Sequence, residues 1–153
     1  MMHHRFPSDR EIVLTRRMRA PRDRVFAAFT APDVDAWWGP DGFTTVTERR
    51  DCRIGGEWIF TMSHAEFGTF PNRIRYEEIV APSRLAYLHD GGPDDAVGGF
   101  RTVITFAEVG DETDVSLHTT FPTAAACAEA KRYQAVECGF QTLQHCATSL
   151  GVP

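Results

Sequence analysis

The residue of this chain best placed to do chemistry is a histidine, His89. It follows Leu85 and Tyr87 at alternate positions, so in a strand all three side chains would face the same side of a sheet. The glycine-rich segment DGGPDDAVGG comes directly after it, which places His89 at the mouth of any cavity that the strand lines. A histidine there could orient a ligand or transfer a proton near neutral pH. The alternative is a strand-end histidine hydrogen-bonded to the backbone or to water.

A polar stripe near the C-terminus offers a possible partner for His89. Glu137 and Gln141 are one helical turn apart, and Gln144 follows three residues later. If this stripe borders the inner face of a helix, Glu137 is a candidate general base and Gln141 a polar contact to a ligand. If it does not, the stripe is a solvated helix surface. The neighbouring His145 is expected on the outer side of the helix.

Other chemistries lack their sequence signals. The chain contains neither HExxH nor a cysteine pair with zinc spacing, so no metal is predicted. It also lacks GxSxG, P-loop and GxGxxG motifs, so neither a catalytic residue nor a cofactor is predicted. Three of the four cysteines fall on one predicted helix, which predicts free thiols in a reducing cytoplasm. These cysteines are Cys52, Cys127, Cys138 and Cys146.

Charge and hydropathy narrow the classes of partner. The net charge is −5 and the basic residues are scattered, which argues against nucleic acid. No apolar run approaches the roughly 20 residues that a membrane helix needs, so no membrane partner is predicted. The N-terminal MMHHRFPSD lacks the apolar core of a secretory signal, which predicts a cytoplasmic protein. Homodimerisation is possible and stays open.

The elements that must position His89 begin near the N-terminus. Glu11 to Arg19 alternates apolar with polar residues and predicts a first strand. Pro21 suits the first turn of a short helix that Pro32 ends, and Asp33 to Trp37 suits a second short helical turn. From Gly42 the hydrophobic period changes to two. This pattern predicts an antiparallel meander of six strands near Thr44–Arg50, Glu57–Ser63, Asn72–Val80, Leu85–Asp90, Arg101–Glu108 and Asp114–Phe121.

One long helix is predicted at the C-terminus, from Ala124 to Leu150, with Thr123 as its N-cap. At about 1.5 Å per residue it could cross a whole sheet. Gly139 lies on its apolar face, which predicts a close approach to the sheet or to something held between the two. Residues 10–150 are predicted to form one domain, and residues 1–9 a flexible tail.

The chain resembles a known protein family in the order of these elements and in a series of residues. These residues are Ala20-Pro21, Val25-Phe26, Ala28, Thr30, Pro32, Trp37-Trp38-Gly39-Pro40, Gly42-Phe43, Gly55-Gly56, Trp58, Pro82, Arg84-Leu85, Thr105-Phe106, Phe121-Pro122, Gly139-Phe140 and Leu143. The chain resembles the bacterial single-domain form of the family named for the activator of the Hsp90 ATPase, within the START-like and Bet v 1-like (SRPBCC) helix-grip superfamily. The resemblance implies an α+β fold in which a curved antiparallel sheet of about seven strands wraps around the C-terminal helix, with two short helices after the first strand. It also implies a cavity for a small apolar or amphipathic molecule.

Strand alternation, the tandem tryptophans and the helix select the residues expected to line that cavity. These are Trp37, Trp38, Phe43, Trp58, Phe60, Met62, Tyr87, His89, Ile104, Phe140 and Gln141. Two other functions remain open: a cavity enzyme of cyclase or hydrolase type that uses acid–base chemistry, and a chaperone-linked or other partner-binding module. Each aromatic residue of the set could instead belong to an ordinary core.

Overall fold

The computed structural model describes residues 2–92, 95 and 99–153, in which eight strands form one antiparallel sheet. The strands are β1 (Met2–Arg5), β2 (Glu11–Met18), β3 (Phe43–Arg50), β4 (Glu57–His64), β5 (Gly68–Val80), β6 (Arg84–Asp90), β7 (Phe100–Val109) and β8 (Glu112–Thr120). Their order across the sheet is β1-β2-β8-β7-β6-β5-β4-β3. Strands β3 to β8 therefore form the predicted meander, and the α+β helix-grip class is confirmed.

Three helices cover the concave face of the sheet in the described part of the chain. They are α1 (Arg22–Thr30), α2 (Ala124–Arg132) and α3 (Ala135–Ser149), and a short 3₁₀ turn (Val34–Ala36) follows α1. Helix α1 packs on β7 and β8, and α3 crosses β2. None of the helices in the described residues has the length and apolarity that crossing a bilayer would require.

The sheet has one strand more than the seven or so expected. Residues 1–9 are predicted as a flexible tail, whereas Met2–Arg5 pairs with β2 along the register Met2↔Arg16 to Arg5↔Val13. The sequence of β1 is MHHR, and all four residues are exposed. Because the strand buries no face, it has no apolar alternation that sequence analysis could detect. Most of the predicted turn between Gly91 and Gly99 lies outside the described residues.

The predicted single C-terminal helix is divided in two. Gln134 adopts a left-handed conformation with φ of 65°, which separates α2 from α3. The predicted N-cap is confirmed for α2, because the Thr123 hydroxyl accepts a hydrogen bond from the Ala126 N–H at 3.0 Å. The segment between the helices contains neither glycine nor proline, so the sequence carries no conventional signal for the break.

Burial follows the predicted alternation along the strands. In β4, Trp58 and Phe60 are buried side by side with ring centroids 4.1 Å apart. Helix α1 adds Phe26 and Phe29, which both meet Phe106 edge to face with centroids 5.2 Å apart. Aromatic residues from the sheet and from α1 thus interlock under the first helix.

Candidate functional site

A cavity of about 250 Å³ lies between the concave face of the sheet and α3. Strands β2, β4, β6, β7 and β8 contribute side chains to its floor, and the loop after the 3₁₀ turn closes one side. Most of its lining is apolar, and none of the described residues that line it carries a permanent charge. The lining residues from the sheet are Ile12, Leu14, Met62, Tyr87, His89, Phe100, Thr102, Leu117 and Thr119.

The face that α3 turns toward the cavity consists mostly of small side chains. Its lining residues are Ala135, Cys138, Gly139, Thr142 and Leu143, spaced i, i+3, i+4, i+7 and i+8 as on one face of a helix. A Cβ atom added to Gly139 would overlap the Leu14 Cδ1 atom of β2. The predicted close approach of the helix to the sheet at Gly139 is therefore confirmed, and the small residues beside it leave the cavity unfilled.

His89 forms the polar end of the cavity. Its Nε2 atom lies 2.8 Å from the Oδ1 atom of Asn72, and the Asn72 side-chain amide donates to the Phe70 carbonyl at 3.0 Å. The second bond orients the Asn72 side chain so that its oxygen faces the imidazole. Desolvation by burial lowers the pKa of His89 to about 4, so the ring is neutral at neutral pH.

The hydrogen bonds of His89 determine its tautomer. Because the Asn72 oxygen can only accept, a neutral His89 must donate to it from Nε2, which leaves Nδ1 without a proton. No described residue forms a hydrogen bond with Nδ1. Nor is Nδ1 one of the fully buried side-chain atoms without a partner, which in the described residues are the Nε atoms of Arg16 and Arg50. His89, which lines the cavity, therefore carries a hydrogen-bond acceptor that no described residue uses.

Two hydroxyl groups lie on the floor of the cavity. The Oγ1 atoms of Thr102 and Thr119 are 3.3 Å apart on the neighbouring strands β7 and β8. Burial raises the pKa of the Tyr87 phenol, which therefore stays protonated. All of these groups are neutral at physiological pH, so the cavity offers hydrogen bonds but no countercharge.

A loop held by α3 forms one wall. Gly39 and Pro40 line the cavity, and the His145 Nδ1 atom lies 2.8 Å from the Gly39 carbonyl oxygen. The His145 Nε2 atom lies 2.7 Å from Asp41 Oδ1, and the Asp41 N–H donates to Gln141 Oε1 at 3.0 Å. His145 was expected on the outer side of the helix, but it is half-buried and fastens the loop. Gln141, expected to contact a ligand, is also used to hold this loop.

A second depression, an external groove of about 740 Å³, lies beside the cavity at the α2–α3 junction. Its aromatic residues are largely exposed: Tyr133 at 72% and Phe67 at 65% of their surface. Cys138 lines both the groove and the cavity, so the two are neighbours at this side chain. Burial raises the pKa of its thiol.

The structure brings only part of the expected site together. Trp38, Met62, Tyr87 and His89 line the cavity. Trp37, Trp58, Phe60 and Ile104 are buried in the packed core instead and do not line the cavity. Phe43 lines the external groove, and Phe140 is half-buried and packs against the core.

Several residues that matter in the site carry no clear signal in the sequence. Asn72 lies in the inward phase of β5, which the register Ile74↔His89 fixes, but an asparagine directly after a proline is more typical of a turn. Cys138 and Thr142 line the cavity because α3 is oriented with this side of the helix toward the sheet. Glu137, the candidate general base, is exposed and does not line the cavity, so the pairing of Glu137 with His89 is not formed.

Comparisons with known proteins agree with this architecture. A solved structure from Arthrobacter aurescens is 17% identical and superposes with a TM-score of 0.89, covering 100% of this chain and 92% of that one. A crystal structure from Mycobacterium smegmatis, also 17% identical, has a TM-score of 0.85 with 98% and 95% covered. One from Chromobacterium violaceum is 27% identical, with a TM-score of 0.77 and 90% and 95% covered. No match was found among curated proteins.

A family model gives the classification. The model described as Activator of Hsp90 ATPase homolog 1-like protein matches residues 19–148, which run from the end of β2 almost to the end of α3. The matched region contains α1, α2, almost all of α3, six of the eight strands and most of the cavity lining. The chain therefore belongs to the Activator of Hsp90 ATPase homolog 1-like family.

Proposed function

We propose that this protein binds a small apolar or amphipathic molecule in the cavity between the sheet and α3. The observation that carries the proposal is a cavity of about 250 Å³ with a largely apolar lining and a neutral polar end at His89. Such sites typically combine an apolar wall with a few placed polar groups. The family to which the chain belongs typically binds hydrophobic ligands.

The volume limits the size of the ligand. A dry cavity of about 150 Å³ accommodates benzene, which has six non-hydrogen atoms. By the same ratio, about 250 Å³ accommodates on the order of ten non-hydrogen atoms. Trp38, Met62 and Tyr87 would contact the apolar part of such a molecule, and His89 would contact its polar group. The external groove beside Cys138 is the proposed entrance.

Native mass spectrometry of the protein purified from its own host tests the proposal. We expect a small molecule to be retained under native conditions and to be lost on denaturation. Thr142→Phe should abolish retention, because Thr142 lines the cavity and its hydroxyl donates to the Cys138 carbonyl of its own helix. Thr148→Phe is the matched control, since Thr148 makes the same i−4 bond on the exposed side of α3.

Two results would contradict the proposal. One is a ligand-free mass for the wild-type protein together with no binding of small neutral aromatic compounds in calorimetry. The other is equal retention by Thr142→Phe and wild type.

Labelling Cys138 with a bulky thiol reagent should also block binding. The Cys138→Ser protein, treated with the same reagent, is the control for labelling at Cys52, the other half-buried cysteine.

A further inference from the structure

We infer that the molecule bound in this cavity is neutral and carries a hydrogen-bond donor, a hydroxyl or an N–H on a compact apolar body, that donates to Nδ1 of His89. This inference rests on the proposed function and narrows its ligand class. It follows from three features of the site: the absence of charge in its described lining, the tautomer of His89 and the positions of the remaining polar groups.

The lining selects against charged ligands. Moving a carboxylate or an ammonium group from water into an enclosed site is costly unless a countercharge or several hydrogen bonds compensate. No arginine, lysine, aspartate or glutamate is found in the described lining. Asp90, next to His89 in sequence, pairs with Arg73 through its Oδ2 atom at 2.9 Å and so does not supply a free charge. Fatty acids and amines are therefore poor candidates.

The tautomer of His89 selects for donors. Nε2 is used to donate to Asn72, so the open nitrogen can only accept. A ketone, an ether or a hydrocarbon placed against it would leave Nδ1 unpaired, whereas an alcohol, a phenol or an indole would pair with it. Leaving a buried polar group unpaired weakens binding by roughly tenfold or more.

The neighbouring groups determine where the donor would lie. The His89 ring lies between the rings of Phe100 and Phe60, at centroid distances of 4.8 and 5.9 Å. The Thr102 and Thr119 hydroxyls already contact each other at 3.3 Å. A flat ring bearing its donor next to His89 would thus meet aromatic walls on the sheet side and the small residues of α3 on the other.

A pair of isosteric compounds tests the inference. p-Cresol and p-xylene have the same shape and differ only in a hydroxyl in place of a methyl group. The Kd of each is measured by calorimetry at pH 7 for wild type, His89→Phe and His118→Phe. His118 lies on the outer face of the sheet beside Glu11 and serves as the matched control. We expect the ratio of the p-xylene Kd to the p-cresol Kd to fall roughly tenfold in His89→Phe and to be unchanged in His118→Phe.

Other results would overturn either the ligand class or the proposed function. If both compounds bind and His89→Phe leaves their ratio unchanged, the ligand class is overturned while the proposed function stands. Tighter binding of 4-methylbenzoate than of p-cresol would overturn the neutrality of the ligand. If neither compound binds the wild type and native mass spectrometry shows no ligand, the proposed function fails and the inference fails with it. Should His89→Phe not fold, His89→Leu gives the same comparison, because it also removes the Nδ1 acceptor and should reduce the ratio.

Discussion

The concave face of the sheet has two halves that are built from similar strands but packed differently. In the filled half, Trp58, Phe60 and Phe106 are almost completely buried. Trp38 packs on the first two, and α1 packs on Phe106. In the open half, under α3, Phe100 and Leu117 border an empty space of about 250 Å³. Both halves use inward aromatic and aliphatic residues at alternate positions. The difference lies in the covering helices.

The covering helices differ in the size of their inward side chains. Helix α1 directs Phe26 and Phe29 onto Phe106. Helix α3 presents Gly139 and Cys138 to the sheet, and Gly139 lets the helix backbone come close to Leu14 without filling the space beside it. The cavity therefore exists because α3 directs small side chains toward the sheet. Substitutions in the two halves should have different effects on stability and on ligand binding.

The largest expected effect separates the two halves by stability. Trp58→Ala should lower the free energy of unfolding by about 3–5 kcal/mol, because Trp58 is 2% exposed and stacks on Phe60. Phe100→Ala should cost about half as much, since Phe100 is half-buried and already borders empty space. Urea denaturation of both variants measures the difference. Equal losses would show that the open half is packed as tightly as the filled half.

The second prediction concerns pH. An unfolded histidine takes up a proton near pH 6.5, whereas folded His89 does so only near pH 4. Between these values the unfolded state binds more protons, so the stability falls as the pH falls, by about 1.4 kcal/mol per unit and about 3 kcal/mol in all. Urea titrations from pH 7 to pH 5 should show this slope in wild type and lose it in His89→Phe.

A control keeps other groups out of this comparison. The carboxyl pKa values of Glu11, Glu77 and Asp90 are lowered by their hydrogen-bond and charge partners, so their stabilising effects are lost below about pH 4.5. The range from pH 7 to pH 5 lies above that loss, and the remaining histidines cancel in the difference between the two proteins. An identical slope in His89→Phe would mean that His89 is not neutral in the folded protein.

The inward residues could be predicted from the sequence, but the cavity could not. A period of two assigns Trp58, Phe60, Tyr87 and His89 to one face, and the structure confirms this assignment. Whether a residue on that face meets another side chain or an empty space depends on the helix opposite. Strand periodicity carries no information about that helix. For this reason Trp58 and Tyr87 were expected in the same site, although only Tyr87 lines it.

Three further differences have a similar origin in long-range contacts. His145 fastens the loop at Gly39, more than 100 positions away in sequence, and local pattern cannot show such a contact. The edge strand Met2–Arg5 forms through backbone pairing alone. The break at Gln134 has no glycine or proline to mark it. By contrast, Thr123 and Gly139 were predicted correctly, because capping and close helix packing depend on residue type.

The third prediction tests whether the open half can be closed. Gly139→Ala should change the free energy of unfolding by no more than about 1 kcal/mol, because the gain in helix propensity offsets the overlap with Leu14. Leu14 itself lines the cavity and can turn into it. The p-cresol Kd should rise as the space is lost. A loss of stability well beyond 2 kcal/mol would show that Leu14 cannot move, and the cavity would then be rigid at this point.

The smallest expected effect concerns the joint between α2 and α3. Gln134 has a φ of 65°, a conformation that costs a residue with a side chain about 1 kcal/mol or more and that glycine adopts freely. Gln134→Gly should therefore raise the free energy of unfolding by about 0.5–1 kcal/mol in urea denaturation, and Gln134→Ala, which keeps the Cβ atom, should give no gain.

The same two variants test whether the joint between α2 and α3 affects ligand binding in the open half. Gln134 lines the external groove but not the cavity, so the p-cresol Kd should be the same in both variants as in wild type. A gain in stability without a change in Kd would mean that the joint only connects the two helices. If Gln134→Gly weakened binding although it stabilised the fold, the strained backbone would instead hold α3 in the position that keeps the cavity open, and the openness of this half would depend on the joint as well as on Gly139.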